Sequence, residues 1–129
     1  MAGGNRILIV ENRDDVRDNL GHLLDEAGFE NRTTWSGYDA LSLLESNEFD
    51  GLVTDCYFPD LHAVAFFERV RQVTRLPWIV VMLSATPSGN DESRYLSWGA
   101  SAIVDKRDPE RVLRAVSACC NSARASANE

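Results

Sequence analysis

Five polar side chains follow the apolar segments of this sequence at the points where those segments end. They are Glu11 and Asn12 after the first segment, Asp55 at the end of the third, Ser84 after the fourth and Lys106 after the fifth. A carboxylate can attack phosphorus, and hard oxygen ligands hold magnesium. A lysine and a hydroxyl can bind phosphate oxygens. If one edge of a fold gathers these groups, they indicate magnesium-assisted phosphoryl transfer to a carboxylate.

The segments that would position these residues alternate between strand and helix. Short apolar runs rich in β-branched residues predict strands at 6–10, 51–54, 78–83 and 102–104, and the repeat of the strand and helix order makes 31–35 a plausible second strand. Apolar residues at helical spacing predict helices at 16–27, 38–45 and 63–73, a fourth through 95–96 and a fifth from 109. Such alternation predicts an α/β fold, a doubly wound five-stranded parallel sheet with helices on both faces. Ligands of such sheets bind at the carboxyl ends of the strands, where the five polar residues lie.

Local signals mark where several of these helices begin and end. Gly28 is placed to end the first helix in a left-handed turn, and Gly99 closes the fourth. Ser36 is a candidate cap for the second helix, while Asp108 and Pro109 occupy the cap and first-turn positions of the last. These signals place the polar residues in the loops between strands and helices.

Length, charge and cysteine content exclude several classes of function. The chain has 129 residues, 44% of them hydrophobic, which suits one domain with a proper core. A net charge of −7 argues against direct binding to nucleic acid or anionic membranes, because those partners need clustered Lys and Arg. Apolar stretches are too short to cross a bilayer, and no signal peptide is recognisable, so we expect a cytoplasmic protein. The three cysteines show neither a disulfide framework nor zinc-site spacing.

Four segments of the sequence resemble the receiver domains of response regulators in two-component signalling, a family of CheY-like proteins. They are RILIVEN, FDGLVTDCYFPD, PWIVVMLSA and WGASAIVDK, in that order along the chain. The resemblance implies a flavodoxin-like fold with strand order 2-1-3-4-5. It implies a receiver domain over residues 6–121, preceded by an N-terminal extension at 1–5 and followed by a disordered tail at 122–129.

The resemblance also implies a role for each polar residue. Asp55 matches the phosphoacceptor, and Glu11 with Asn12 occupies the acidic-pair site that positions Mg²⁺. Asp55 and the main-chain carbonyl of Tyr57 complete the expected metal ligands. The remaining two residues match groups that contact the phosphate: the hydroxyl that reports phosphorylation, and the lysine. They are Ser84 and Lys106.

Three departures from the family pattern concern the switch rather than the fold. Asn12 replaces a carboxylate, so we expect weak Mg²⁺ binding. Arg107 stands where a proline commonly follows the lysine, and Ile103 stands where many members have a Tyr or Phe that moves on activation. These departures motivate an alternative, a pseudo-receiver that acts as a phosphorylation-independent interaction module. A phosphatase with an aspartate nucleophile is a weaker alternative, because Tyr57 occupies the position of its second aspartate.

The resemblance implies partners as well as chemistry. We expect a sensor histidine kinase or phosphotransfer protein to donate the phosphoryl group, and a downstream protein or output domain to read the result. The sequence leaves a homodimer open and does not identify the kinase or pathway. We do not expect an enzyme, since the domain would assist only its own phosphorylation and dephosphorylation.

Overall fold

A computed structural model of the chain describes residues 5–127. Five strands alternate with five helices along the chain. The strands are β1 (Arg6–Val10), β2 (Glu30–Thr34), β3 (Gly51–Asp55), β4 (Trp78–Leu83) and β5 (Ala102–Asp105). The helices are α1 (Asp14–Glu26), α2 (Gly37–Ser46), α3 (Ala63–Val73), α4 (Gly89–Ser97) and α5 (Pro109–Ala127). This order is the alternation that the apolar segments predict.

All five strands are parallel and lie in one sheet of order β2-β1-β3-β4-β5. The predicted fold class is therefore confirmed. The chain first moves outward from β1 to β2 and then returns past β1 to β3, so strand order reverses between β1 and β3. In doubly wound sheets that reversal opens a crevice at the carboxyl ends of the two strands.

Two apolar clusters cover the two faces of the sheet. One face packs against α2, α3 and α4, with Phe66, Phe67 and Leu52 among its buried side chains. The other packs against α1 and α5, with Leu24 and Val116 among its buried side chains. Because the central strands are covered on both sides, β1, β3 and β4 are buried at almost every position and consist mostly of apolar residues, as in other parallel sheets.

The predicted helix boundaries agree closely with the structure. Gly28 and Gly99 have φ angles of 91° and 106°, in the left-handed region that ends α1 and α4. The Ser36 hydroxyl accepts a hydrogen bond from the N–H of Asp39 and so caps α2. The Asp108 carboxylate accepts a hydrogen bond from the N–H of Arg111 at the start of α5.

The last helix is longer than the sequence analysis predicts. The sequence predicts a disordered tail at 122–129, but α5 continues to Ala127. The residues after Asn121 are mostly Ala, Ser and Arg, and alanine is the strongest helix former. Ala123 also packs against the α1–α5 core, which favours continuation of the helix. Residues 128–129 and most of the predicted 1–5 extension lie outside the described part of the chain.

The start of β3 depends on a close contact between backbone and indole ring. Gly51 pairs with Trp78 across the sheet, and the ring of Trp78 lies directly over the position that a Cβ at residue 51 would occupy. Only glycine leaves room for this ring, which is almost fully buried.

Gly51→Ala should therefore lower the free energy of unfolding by about 2 kcal/mol, because the new methyl group forces Trp78 from its site. Gly89→Ala is the matched control, since a Cβ there meets no atom within 4 Å and its site lies in a helix. Urea denaturation should show the first variant destabilised and the second equal to or more stable than wild type. Equal effects of the two changes would contradict this packing.

Candidate functional site

The sheet register brings the predicted site residues to one edge. Val10 pairs with Thr54, so the residues that follow them, Glu11 and Asp55, leave the sheet side by side. On the other side of β3, Asp55 pairs with Met82 of β4, and Met82 pairs with Val104, one residue before the end of β5 at Asp105. Lys106 follows Asp105, and its N–H donates to the carbonyl of Leu83 at 2.8 Å. Three strand ends therefore present their polar residues at the same rim.

Glu11 is fully buried, which is rare for a carboxylate. Its Oε2 accepts a hydrogen bond of 2.9 Å from the N–H of Arg13. Both of its oxygens contact the Nζ of Lys106, at 3.1 and 3.2 Å. These contacts compensate the buried charge, because an ionised carboxylate without partners would be strongly destabilising at this depth.

Lys106 bridges the two buried acids of the site. Its Nζ lies 3.0 Å from Oδ2 of Asp55 as well as close to Glu11. Burial of Lys106 lowers its pKa, but the hydrogen bonds and charges of Asp55 and then Glu11 outweigh that effect and raise the pKa overall. The ammonium is therefore charged at neutral pH, and its contribution to stability is lost only as the pH rises through this raised pKa.

Asp55 is 8% exposed, so a small group can reach it through the rim while bulk water is largely excluded. Its Oδ1 accepts a hydrogen bond of 2.8 Å from the N–H of Cys56, and its Oδ2 faces Lys106. The hydroxyl of Thr54 donates to its main-chain carbonyl at 2.8 Å. The carboxylate is thus held in one orientation by contacts to both of its oxygens.

The Cys56 thiol follows this carboxylate in the chain and contacts the phenol of Tyr95 on α4. Burial raises the pKa of Cys56 to about 11, and the charge of Asp55 adds to the increase while a hydrogen bond with Tyr95 opposes it. Burial and the contact with Cys56 raise the pKa of Tyr95 to about 12. Both groups are neutral at physiological pH, so the local charge belongs to Glu11, Asp55 and Lys106.

The loop that presents Lys106 is held by an ion pair instead of a proline. Arg107 donates through Nε and Nη2 to the two carboxylate oxygens of Asp105, at distances between 2.6 and 3.1 Å. The main-chain N–H of Arg107 adds a third donor to the same carboxylate, at 2.9 Å. These hydrogen bonds lower the pKa of Asp105 to about 2. The described residues contain no cis peptide bond, so this loop is trans throughout.

Three other predicted site residues lie at the rim without joining the ion cluster. Ser84 follows β4 and is exposed, and Asn12 is partly buried next to Glu11. Tyr57 lies two residues beyond Asp55 and exposes 61% of its surface. In the part of the chain that the structure describes, the side chains of Ser84 and Asn12 make no hydrogen bond. The structure therefore brings Glu11, Asp55 and Lys106 together and leaves these three around them.

Two residues that support the site are not evident from the sequence pattern. The guanidinium of Arg17 donates to the main-chain carbonyl of Glu11 at 3.1 Å and to Asp14 at 2.6 Å, which ties the first turns of α1 to the end of β1. Asp60 accepts hydrogen bonds from Ser36, Gly37 and Tyr38 at the start of α2. The spacing of Asp14 and Arg17, three residues apart on a helix, is a signal for their ion pair but not for the contact of Arg17 with Glu11. The Asp60 contacts join residues more than 20 positions apart, and no local pattern predicts them.

The donor chemistry of the rim fits a magnesium ion. Two buried carboxylates share one ammonium, which leaves a net charge of −1 in a site with little water. Asn12 and the Tyr57 carbonyl would add further oxygen ligands, and Mg²⁺ typically uses one or two carboxylates together with waters and a phosphate. Within residues 5–127 no group of three or more His, Cys, Asp or Glu side chains is placed to bind a metal. The rim therefore does not resemble the all-protein cage of a structural zinc or calcium site.

Comparisons with known proteins agree with this geometry. Residues 7–117 match the family described as the response regulator receiver domain. The transcriptional regulatory protein CpxR of Klebsiella pneumoniae is 32% identical over 109 residues, which cover 84% of this chain and 46% of that protein. The chain thus spans less than half the length of this relative. Within residues 5–127, no helix combines the length and apolar character needed to cross a membrane.

Solved structures show the same fold. A CheY-like receiver domain protein from Methanospirillum hungatei JF-1 superposes with a TM-score of 0.85 at 20% identity, over 96% of this chain and 99% of that one. The response regulator TrrA of Thermotoga maritima, solved in complex with Mg²⁺ and BeF, superposes with a TM-score of 0.75 at 23% identity, over 89% of this chain and 98% of that one.

Receiver domains are phosphorylated on an aspartate in a Mg²⁺-dependent reaction, and they interact with histidine kinases or phosphotransfer proteins and with output domains. The match to the family covers most of the chain, and the fold has the strand order of these proteins. This chain belongs to the response regulator receiver domain family of two-component signalling.

Proposed function

We propose that Asp55 of this receiver accepts the phosphoryl group and that its phosphorylation switches a protein-interaction face. The observation that carries the proposal is the ion cluster in which Lys106 contacts both Asp55 and the fully buried Glu11. Asp55 is the one of these two acids that the rim leaves partly accessible. It is therefore the carboxylate that an incoming phosphodonor can reach.

The transfer needs few contributions from the protein beyond position and charge. An oxygen of Asp55 attacks the phosphorus of the donor, and the bond between phosphorus and its leaving group breaks with its electron pair on the leaving group. Lys106 is already 3.0 Å from this carboxylate, so its ammonium can follow the negative charge onto the phosphoryl oxygens. Ser84, exposed after β4, can donate a hydrogen bond to one of them.

Mg²⁺ would supply charge neutralisation on the phosphoryl oxygens. Glu11, Asn12, Asp55 and the Tyr57 carbonyl are the groups that would hold it. Since Asn12 is neutral, this site carries one negative charge fewer than the family's usual acidic pair provides, and we infer weak Mg²⁺ binding. TrrA, a response regulator of the same fold, is solved in complex with Mg²⁺ and BeF, and this supports a role for Mg²⁺ in the present chain.

The response to phosphorylation follows from the displaced contacts of Lys106. A phosphoryl group on Asp55 competes with Glu11 for the ammonium, so it biases the loops after β4 and β5 toward a second arrangement. We infer that a histidine kinase or phosphotransfer protein is the donor and that a downstream protein or output domain reads the altered face. The domain assists its own phosphorylation and is not an enzyme that turns over other substrates.

The pseudo-receiver is the second candidate, favoured by Asn12 and Ile103. Ile103 packs against the core cluster under α2, α3 and α4, and β5 contains no aromatic residue. This observation removes the aromatic form of the switch but leaves the Glu11, Asp55 and Lys106 cluster intact. We therefore prefer the phosphorylated switch.

Incubation with acetyl phosphate and Mg²⁺ should add one phosphoryl group to the wild-type protein and none to Asp55→Asn, because Asp55 is the partly accessible carboxylate of the ion cluster and lies beside Lys106. Intact-mass spectrometry measures the adduct. Asp60→Asn is the matched control, since it changes a nearby aspartate outside the ion cluster and should still be labelled. Absence of an adduct at every Mg²⁺ concentration would support the pseudo-receiver, and steady turnover of varied phosphate esters would indicate a phosphatase.

Asn12→Asp should tighten Mg²⁺ binding by roughly tenfold, because it adds a carboxylate to a site that has only two. Isothermal titration calorimetry with MgCl₂ measures the change. Asn47→Asp, at the end of α2, adds the same charge outside the rim and should leave the affinity unchanged. Equal affinities for the wild type and Asn12→Asp would show that residue 12 is not a metal ligand.

Lys106→Met should lower the free energy of unfolding by about 2 kcal/mol without Mg²⁺, because it leaves two buried carboxylates with no counter-charge. Saturating Mg²⁺ should then stabilise this variant more than it stabilises the wild type, since the cation replaces the lost ammonium charge. Urea denaturation with and without MgCl₂ measures both effects. Arg114→Met removes an exposed cation on α5 and serves as the control. An equal Mg²⁺ effect in all three proteins would exclude a metal site beside Lys106.

A further inference from the structure

Exposed large hydrophobic side chains are concentrated at the rim that contains Asp55. The described part of the chain has five such side chains, each between 38% and 61% exposed. Four of them lie at the starts of α2 and α3 or in the loops before these helices: Trp35, Tyr38, Tyr57 and Val64. We call these four residues the rim patch. The fifth, Leu96, lies in the last turn of α4, which runs back toward the opposite edge of the sheet.

The rim patch is held in place by Asp60, which joins its two loops. The Asp60 carboxylate accepts hydrogen bonds from the Ser36 hydroxyl at 2.5 Å, the Gly37 N–H at 2.9 Å and the Tyr38 N–H at 3.2 Å. A Cβ at Gly37 would lie only 3.1 Å from the Cβ of Leu61, so the loops also pack closely. The guanidinium of Arg69 lies 5.9 Å from the ring centroid of Tyr38 and restrains it from α3. The patch is therefore preorganised, which reduces the entropy lost on binding.

The sheet register gives the distance from the rim patch to Asp55. Thr34 pairs with Val10, and Val10 pairs with Thr54, so the residues after Thr34 and Thr54 are two strand spacings apart. Those residues are Trp35 and Asp55, and their backbones are about 10 Å apart. Tyr57 is two residues from Asp55, within about 7 Å along the chain. The patch thus begins at the mouth of the site and extends toward β2.

This distance identifies the protein that must cover the patch. A standard interface buries about 800 Å² on each partner, which corresponds to a radius of roughly 16 Å around its centre. A protein that delivers a phosphoryl group to Asp55 has its donor atom at the centre of such a footprint. Trp35 and Tyr57 fall within it, and the hydrogen bond from the Tyr38 N–H to Asp60 holds Tyr38 next to them. Tryptophan and tyrosine are among the side chains that most often dominate binding energy at interfaces.

We propose that the rim patch is the docking surface for the phosphodonor protein, whose complementary surface is apolar and accepts the Trp35 and Tyr38 rings. This inference rests on the proposed phosphorylation of Asp55. It assigns the two ends of the α2–α3–α4 face to different roles, because the patch contacts the donor at the rim while Leu96 lies in the last turn of α4, the end of that helix farther from the rim. Small phosphodonors need no docking surface, so the patch affects only transfer from a protein.

The test compares a protein donor with a small one. Each sensor histidine kinase of the source organism is autophosphorylated with ATP, and the kinase that transfers fastest to the wild-type chain is used as the donor. Trp35→Ser and Tyr38→Ser should each lower kcat/KM for this transfer roughly tenfold, mainly through KM. Leu96→Ser, which removes an equally exposed hydrophobic group, should leave it unchanged. Labelling by acetyl phosphate should stay within about twofold of wild type in all three variants.

Several outcomes would overturn the proposal. Unchanged kinase transfer to Trp35→Ser and Tyr38→Ser, or an equal loss with acetyl phosphate, would exclude a docking role for the patch. The docking role would also be excluded if acetyl phosphate labels Asp55 of the wild-type chain but none of the kinases does. A concentration-dependent dimer that Trp35→Ser abolishes, with kinase transfer intact, would assign the patch to self-association. Failure of both donors to label the wild type would instead contradict the proposed function on which this inference rests.

Discussion

The structure of the site depends on one ammonium group between two buried carboxylates. Lys106 lies within 3.2 Å of oxygens on both Glu11 and Asp55, and each of the three side chains is largely removed from water. Two carboxylates this close and this deep would repel each other without a cation. The need for that cation explains why the end of β5 must reach the ends of β1 and β3. The parallel sheet meets this need by register alone, since it aligns the carboxyl ends of all three strands.

The same ion cluster links stability to signalling. The cluster leaves one negative charge uncompensated, which suits a divalent cation, and it places the ammonium where a phosphoryl group on Asp55 would compete for it. The same lysine therefore stabilises the folded state and the phosphorylated state. The Asp105–Arg107 ion pair holds the loop that contains Lys106. The pair therefore supports the cluster without contacting the reacting atoms.

Much of this arrangement could be predicted from the sequence. Apolar runs predict four of the strands, and the alternation of strands and helices predicts β2. The helix-end signals at Gly28, Ser36 and Gly99 are confirmed because they act within a few residues of the helix ends. The last helix was mispredicted because small polar residues suggested a disordered tail, whereas alanine propensity and packing of Ala123 extend α5 to Ala127. The role of Asp60 could not be predicted, since its contacts with the start of α2 join distant parts of the chain. The exposed rings of Trp35 and Tyr38 also needed coordinates, because strand-end aromatics in a sequence do not reveal which way they face.

A crystal structure with Mg²⁺ and beryllofluoride would test most directly the claim that this cluster is a phosphoacceptor site. We predict beryllium bonded to a carboxylate oxygen of Asp55, the Nζ of Lys106 moved from Glu11 to a fluorine, and a cation beside Glu11 and the Tyr57 carbonyl. A cluster that keeps both of its carboxylate contacts under saturating Mg²⁺ and beryllofluoride, with no adduct on Asp55, would contradict the account.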